Sequence, residues 1–339
     1  MEKLVSVSDF LAAQSDRVVL DVRSPGEYTH GHLPGALSFP LFTDEERAAV
    51  GTCYKQKGPE PALHLGLELV GPKMAGFVAQ AQALAPHRKL AVHCWRGGKR
   101  SQSMSWLLRM ADFDVVTLTG GYKAYRQFVR EQFELLPVSL RVLGGKTGSG
   151  KTKILHAMKA MGAQVIDLER LANHKGSAFG TIGEPPQPTV EQFENNFYQA
   201  LAAQDFSKPV WVENESRSIG RVFIPDAFWV KIKSAPLFNI EVPDNARIQN
   251  LVSDYVGVDK AALREAFNKI DRKLGGQHLK AAMEALDCDD FATAARIALQ
   301  YYDKTYSYCL EQSTSPVIHR IAFEFGDPAR IARALLDME

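Results

Sequence analysis

The chain is poor in the features that mark several common protein classes. Its four cysteines, Cys53, Cys94, Cys288 and Cys309, lie far apart with no CxxC pair, which argues against a structural zinc site, any other metal site built on paired thiols, or a disulfide framework. No run approaches the roughly eighteen apolar residues of a membrane span, and Met1-Glu2-Lys3 lacks the basic-then-apolar opening of a signal peptide. A cytoplasmic protein without membrane contact is the expectation. An excess of one charge sign is missing too. Forty Lys and Arg against 39 Asp and Glu leave a net charge of +1, so any nucleic-acid binding has to come from local patches. What the chain has is length and core: 339 residues, 45% of them hydrophobic, suit two domains.

The most chemically loaded stretch is Val92-His93-Cys94-Trp95-Arg96-Gly97-Gly98-Lys99-Arg100-Ser101. Lys89 to Val92 reads as a short buried strand, and Ser101 to Met110 has the apolar spacing of a helix, with Ser101 as an early-turn or cap residue. Cys94 therefore falls at a strand-to-helix turn. Loop N–H groups, the positive end of the helix dipole and the cations Arg96, Lys99 and Arg100 all favour an anion on sulfur, and the thiolate is the nucleophilic form. A purely structural cysteine has no use for Gly97, Gly98 and three cations. His93 points to the other side of an extended strand and is not expected to act as a base. Cys53 has no such company and reads as packing.

Upstream, Ser6 to Phe10 begins a helix and Arg17 to Arg23 reads as a strand. Asp21-Val22-Arg23-Ser24-Pro25-Gly26-Glu27-Tyr28, Gly31-His32-Leu33-Pro34-Gly35-Ala36, the Cys94 loop and Thr119-Gly120-Gly121-Tyr122-Lys123-Ala124-Tyr125 together resemble the rhodanese (sulfurtransferase) family over about residues 1–130. The resemblance implies that Cys94 carries a persulfide or similar chalcogen adduct. Asp21 and Arg23 are expected to fix the loop at a strand end, and His30 and His32 to be structural. Pro40 to Pro86 exceeds what a minimal rhodanese needs. Thr43 can cap a helix there, with Glu46 at the capping-box position, and Met74 to Ala85 reads as a further helix, so a helical insert over about 41–86 is the simplest account. Tyr122 to Phe133 reads as a helix with Lys123, Arg126 and Arg130 on its surface. The first domain is expected over 1–135.

Leu136-Pro137-Val138 marks the change to a second domain, 138–339. Leu140 to Gly144 reads as a strand, and Gly145-Lys146-Thr147-Gly148-Ser149-Gly150-Lys151-Thr152 fits the Walker A pattern without exception, with a helix from Lys153 to Met161. Backbone N–H groups of this loop would cradle a di- or triphosphate, Lys151 would meet the terminal phosphates and Thr152 would reach a magnesium ion. Gln164 to Leu168 and Pro209 to Glu213 read as strands of a parallel sheet. Asp167 and Glu213 are either strand-end caps or magnesium ligands. No apolar run ends in Asp-Glu, so vigorous nucleotide hydrolysis is not expected, and the loop suits a pyrophosphate leaving group. From Arg247 onward the pattern is helical. Arg264, Lys269, Arg272, Lys273 and Lys280 form either a basic face or an ordinary solvated surface. The fold class is α/β: a rhodanese-like parallel-sheet domain, then a P-loop NTPase-like domain with a helical C-terminal part.

The order of these domains, with Asp44-Glu45-Glu46-Arg47, Val50-Gly51-Thr52-Cys53-Tyr54-Lys55 and His174-Lys175-Gly176-Ser177-Ala178-Phe179-Gly180, resembles the bacterial tRNA 2-selenouridine synthase family over nearly the whole chain. That resemblance implies replacement of sulfur by selenium in wobble 2-thiouridine of tRNA. It implies S-geranylation with geranyl diphosphate first, then selenium transfer from selenophosphate through Cys94. Both are substrates, with no tightly bound cofactor expected, and tRNA is the partner, with room for a protein that supplies selenophosphate. Phe179, Phe193, Phe197 and Trp211 are read as core more readily than as a prenyl pocket. Two other classes stay open: a nucleotide-dependent kinase or ATPase fused to a sulfur relay, and a non-catalytic rhodanese-like binding module, which would normally lack the cysteine.

Overall fold

The computed structural model describes residues 3–255 and 257–338; Met1 and Glu2, part of the N-terminal reading, lie outside the described residues. The chain divides into two compact units, one reaching Gln132 and the other starting at Phe133.

In the first unit, five parallel strands, β1 (Lys3–Val5), β2 (Val18–Asp21), β3 (Leu37–Ser38), β4 (Lys89–His93) and β5 (Asp114–Leu118), lie in the order β1-β5-β4-β2-β3. β4 and β5 are buried along almost their full length, as strands covered on both faces must be. Ser6 caps the helix Val7–Ala13 by accepting from the Asp9 N–H. The insert is helical, Asp44–Lys57, Pro59–Val70 and Met74–Leu84. Its first turn carries the expected capping box: Thr43 accepts from the Glu46 N–H at 3.2 Å, and the Glu46 carboxylate accepts from the Thr43 N–H at 2.9 Å. Its last helix sends Phe77 and Ala81 into the core that also holds Phe39, Leu90, Val92 and Cys94.

The helix Gly121–Leu135 departs from expectation at one position. Lys123 and Arg130 are exposed, but Arg126 is buried. Tyr122, Tyr125, Val129 and Phe133 form the buried stripe at helical spacing, and Arg126 stands four residues after Tyr122, on the same face.

The second unit has its own parallel sheet, made of β6 (Leu140–Gly145), β7 (Gln164–Ile166), β8 (Val210–Glu213), β11 (Leu237–Glu241) and β12 (Ile318–Ala322), ordered β12-β11-β6-β8-β7, with a small hairpin of β9 (Ser218–Ile219) and β10 (Val222–Phe223). The region after Arg247 is therefore not wholly helical. β12 lies at the sheet edge, only partly buried, so its sequence lacks the continuous apolar run of an inner strand. The helix Pro328–Leu336 packs Ile331, Ala332 and Leu335 against Ile154, Leu155 and Met158. Between β11 and β12 run the helices Asp244–Tyr255, Lys260–Lys269, Gly276–Asp287 and Phe291–Glu311. Of the cations in this stretch, Arg264 pairs with Asp287, Lys269 with Glu265 at 3.0 Å and Lys280 with Glu284 at 3.9 Å, and Lys273 lies 5.7 Å from the Tyr301 ring. This favours the solvated surface over a free basic face. Phe193 and Phe197 pack with Phe133 and Phe228, and Trp211 with Phe238, so these aromatics are core.

β4 is the middle strand of the first sheet and β6 the middle strand of the second. Parallel α/β sheets place their ligands beyond the carboxyl ends of such strands.

Candidate functional site

Cys94 stands just past the end of β4 and is only 3% exposed. The following helix spans Lys99–Met110 with Gly98 at its N-cap, two residues ahead of expectation. Ser101 is accordingly not a cap. It is buried in the first turn, with its Oγ 3.2 Å from the Cys94 Sγ. Arg96 and Lys99 are exposed, whereas Arg100 turns to the Glu27 carboxylate at 2.6 Å and 3.3 Å. Burial works against the Glu27 charge, yet its bond to Arg100 holds the carboxyl below the usual range.

The loop is locked from behind by backbone. The Tyr122 N–H donates to the Cys94 carbonyl at 2.8 Å and the Lys123 N–H to that of Trp95 at 2.9 Å. Gly97 has φ +67°, and a Cβ there would lie 2.8 Å from the Leu118 carbonyl oxygen. Gly121 has φ +60°, and its Cβ would run into the Cys94 carbonyl. Both positions therefore demand glycine.

Arg23 donates to the Asp21 carboxylate at 2.5 Å and to the Gly31 carbonyl at 2.6 Å. Its guanidinium lies 3.8 Å from the Tyr122 ring centre and 6.0 Å from that of Trp95. The pair thus braces the wall of the loop. His93 is fully buried beside Asp21 at 3.8 Å, edge-on to Phe10, and burial pushes its pKa down. His32 stacks on Tyr28 at 3.9 Å.

The second site follows β6. Gly148 and Gly150 have φ +80° and +79°, and the helix Lys151–Ala160 starts directly at the lysine. Ser149 is buried within the loop. The Lys151 ammonium donates to the Gly145 carbonyl at 3.0 Å and the Thr152 hydroxyl to the Glu169 carboxylate at 2.8 Å. Lys146 lies 3.7 Å from Asp303. The helix Asp244–Tyr255 grips the loop from outside: Arg247 donates to the Thr147 carbonyl at 3.0 Å and Asn250 to that of Gly148 at 3.0 Å. Arg247 is buried, and it pairs with Asp244 at 2.8 Å and with Asp303.

Three glutamates stand at this site. Glu213 is buried, accepts from the Glu169 N–H at 2.8 Å, and is pushed well above the carboxylate range by burial and then by Asp167 and Glu169. Burial and Glu169 push Glu215 up to about 8. Burial also raises Glu169, against the pull of Lys151 and of the Thr152 hydrogen bond. Asp167 is a strand-end cap, accepting from the Arg170 N–H at 2.8 Å and facing His156 Nε2 at 2.6 Å. Glu169, not Asp167 or Glu213, therefore meets Thr152. Among the described residues no group of three or more His, Cys, Asp or Glu is set to hold a metal by itself. A magnesium ion here would draw on the Thr152 hydroxyl and one carboxylate, with phosphate and water oxygens completing it, a set that suits this hard ion.

Glu169, Glu215, Arg247 and Asn250 were not singled out by sequence. For Glu215 a signal existed: it follows Glu213 by two in Val210-Trp211-Val212-Glu213-Asn214-Glu215.

Residues 138–324 match the family model described as the tRNA 2-selenouridine synthase AAA domain, and residues 6–128 match the rhodanese-like domain. A tRNA 2-selenouridine synthase of Sulfurovum sp. (strain NBC37-1) is 34% identical over 94% of this chain and 96% of its own length. One from Nitrosomonas europaea is 40% identical over 71% of this chain and 64% of its own. Among solved structures, the N-terminal domain of a putative ATP/GTP binding protein from Clostridium difficile 630 is 38% identical, covering 38% of this chain and 98% of that one, with a TM-score of 0.36. Among the described residues no helix is long and apolar enough to cross a membrane. The chain belongs to the tRNA 2-selenouridine synthase family.

Proposed function

We propose that the protein modifies tRNA, converting wobble 2-thiouridine to 2-selenouridine in two steps served by two sites. In the second unit the phosphate loop holds the diphosphate of geranyl diphosphate. The thiouridine sulfur attacks the first prenyl carbon, the carbon–oxygen bond breaks and pyrophosphate leaves. Lys151 and the loop N–H groups meet the charge that grows on the departing oxygens. Thr152 and Glu169 are the residues that would hold a magnesium ion there, which would share in neutralising pyrophosphate.

The alkylated sulfur then departs as a neutral thiol, a better leaving group than a thiocarbonyl sulfur. In the first unit the Cys94 thiolate attacks the phosphorus of selenophosphate, the phosphorus–selenium bond breaks and hydrogen selenide is released in the loop; it attacks C2 of the base as the geranyl thiol leaves, and water then hydrolyses the Cys94 thiophosphate to free phosphate. The observation that carries this reading is that Cys94 and Lys151 each stand just beyond the carboxyl end of the central strand of a parallel sheet.

The test separates the steps. Lys151→Ala removes a charge-assisted contact of about 1.5–3 kcal/mol, which is roughly a ten- to hundredfold loss of geranylation. It should still selenate tRNA supplied already geranylated. Cys94→Ser should show the opposite pattern, with geranylation kept and selenation lost, read by mass spectrometry of the wobble nucleoside. Geranylation intact in Lys151→Ala with selenation lost would reverse the assignment.

A further inference from the structure

Two cavities meet at the phosphate loop. One, of about 400 Å³, has mostly polar residues on its walls, among them Lys151, Thr152, Glu169, Lys175 and Glu215. The other, about 60 Å³ as it stands, so that a hydrocarbon chain would have to part its walls, is lined mainly by Phe179, Leu263, Phe267, Leu286, Phe291 and Ala298. They share Thr147, Ser177, Leu251, Tyr255 and Tyr302. The two cavities thus adjoin along a shared collar made of Leu251 and the hydroxyl-bearing Thr147, Ser177, Tyr255 and Tyr302.

The segment His174-Lys175-Gly176-Ser177-Ala178-Phe179-Gly180 builds that collar. Lys175 and Gly176 border the phosphate side, Ser177 borders both cavities, and Phe179 borders only the apolar side. Gly176 has φ +67°, and a Cβ there would lie 2.6 Å from a Glu215 carboxylate oxygen, so the chain passes close against the carboxylates before turning into the apolar wall. The Tyr302 hydroxyl accepts from the Ala178 N–H at 3.2 Å and pins the turn.

A nucleotide in the cradle would direct a base with several hydrogen-bonding atoms at a neighbouring subsite, and a wall of Phe, Leu and Ala leaves such atoms unpaired. A branched hydrocarbon has no such need and gains by leaving water. We propose that the apolar cavity between the helices Asp244–Tyr255, Lys260–Lys269, Gly276–Asp287 and Phe291–Glu311 receives the isoprenoid chain of the diphosphate held by the phosphate loop. This rests on the reading that the loop holds a prenyl diphosphate. It adds where the chain lies and which residues set its length.

The experiment is calorimetric titration of the full-length protein, in magnesium, with inorganic pyrophosphate and with geranyl and farnesyl diphosphates. The wild type should bind geranyl diphosphate at least tenfold more tightly than pyrophosphate. Ala298→Phe, which fills the cavity, should erase that preference while leaving pyrophosphate affinity in place. Phe291→Ala, which enlarges it, should shift preference toward farnesyl diphosphate. Lys151→Ala should weaken all three ligands.

A geranyl preference that survives in Ala298→Phe, while Lys151→Ala still loses every ligand, overturns the cavity assignment and leaves the diphosphate reading standing. Geranyl diphosphate binding unchanged in Lys151→Ala overturns the diphosphate reading itself. If Ala298→Phe also loses pyrophosphate through misfolding, Phe291→Ala decides: a shift to the longer chain supports the cavity, and an unchanged preference rejects it.

Discussion

Glu213 has one carboxylate oxygen committed to the Glu169 N–H and the other without a hydrogen-bond partner among the described residues. Because burial, Asp167 and Glu169 raise its pKa, the folded chain keeps a proton that the unfolded chain releases above the ordinary glutamate value. Stability must then fall as pH rises through the window between the ordinary and the raised value. Glu213→Gln keeps the acceptor oxygen and abolishes the titration. Its second unit should melt higher than the wild type at pH 8 and show little gain at pH 5, with about 2–4 °C for each kcal/mol recovered. Melting curves at the two pH values check this, and no gain at pH 8 would rule out the retained proton. Cys94, Lys151 and Thr152 were legible in the sequence because their chemistry is written in local spacing. Glu169 was not, because it reaches the phosphate loop from the end of another strand, and neither spacing nor residue type announces that meeting; Glu215 was signalled only by its place two residues after Glu213.

At the scale of elements, the inner strands and the helical insert were readable from apolar runs and caps, such as the Thr43–Glu46 box. β12 was not, since an edge strand needs no continuous apolar run and takes its place by pairing with β11. The helix Asp244–Tyr255 falls at the start of the stretch read only as helical, and nothing in that pattern shows that its Arg247 and Asn250 hold the phosphate loop. Arg247 is buried, but its partners Asp244 and Asp303 are open to water, so losing these pairs costs less than the roughly 3–5 kcal/mol of a fully buried one. Arg247→Met should therefore lower the melting temperature of the second unit and, by freeing the Thr147 carbonyl, weaken pyrophosphate binding by roughly tenfold, about 1.4 kcal/mol. Titration with pyrophosphate below the melting point reads this effect. Wild-type affinity in the variant would show that the loop holds its shape without the helix.

For the whole molecule, a net charge of +1 leaves tRNA binding to local cations, and the first unit exposes Arg96, Lys99, Lys123 and Arg130. Each phosphate contact releases condensed counterions, so the logarithm of the tRNA association constant should fall linearly with the logarithm of salt concentration. Charge reversal at Lys99 and Lys123 together should flatten that slope by about two contacts, measured by filter binding between 50 and 200 mM salt, and a slope unchanged by the double variant would rule out phosphate contacts at these two lysines. The interlock of Gly97 and Gly121 bears on the molecule in another way. Between these two glycines the chain runs out through the helix Lys99–Met110 and back along β5, yet the contacts that join them are backbone to backbone. The cysteine loop and the Gly120-Gly121 corner are thus one part written in two places. Grafting the loop onto a foreign scaffold without its corner would carry over the sulfur and leave behind what shapes it.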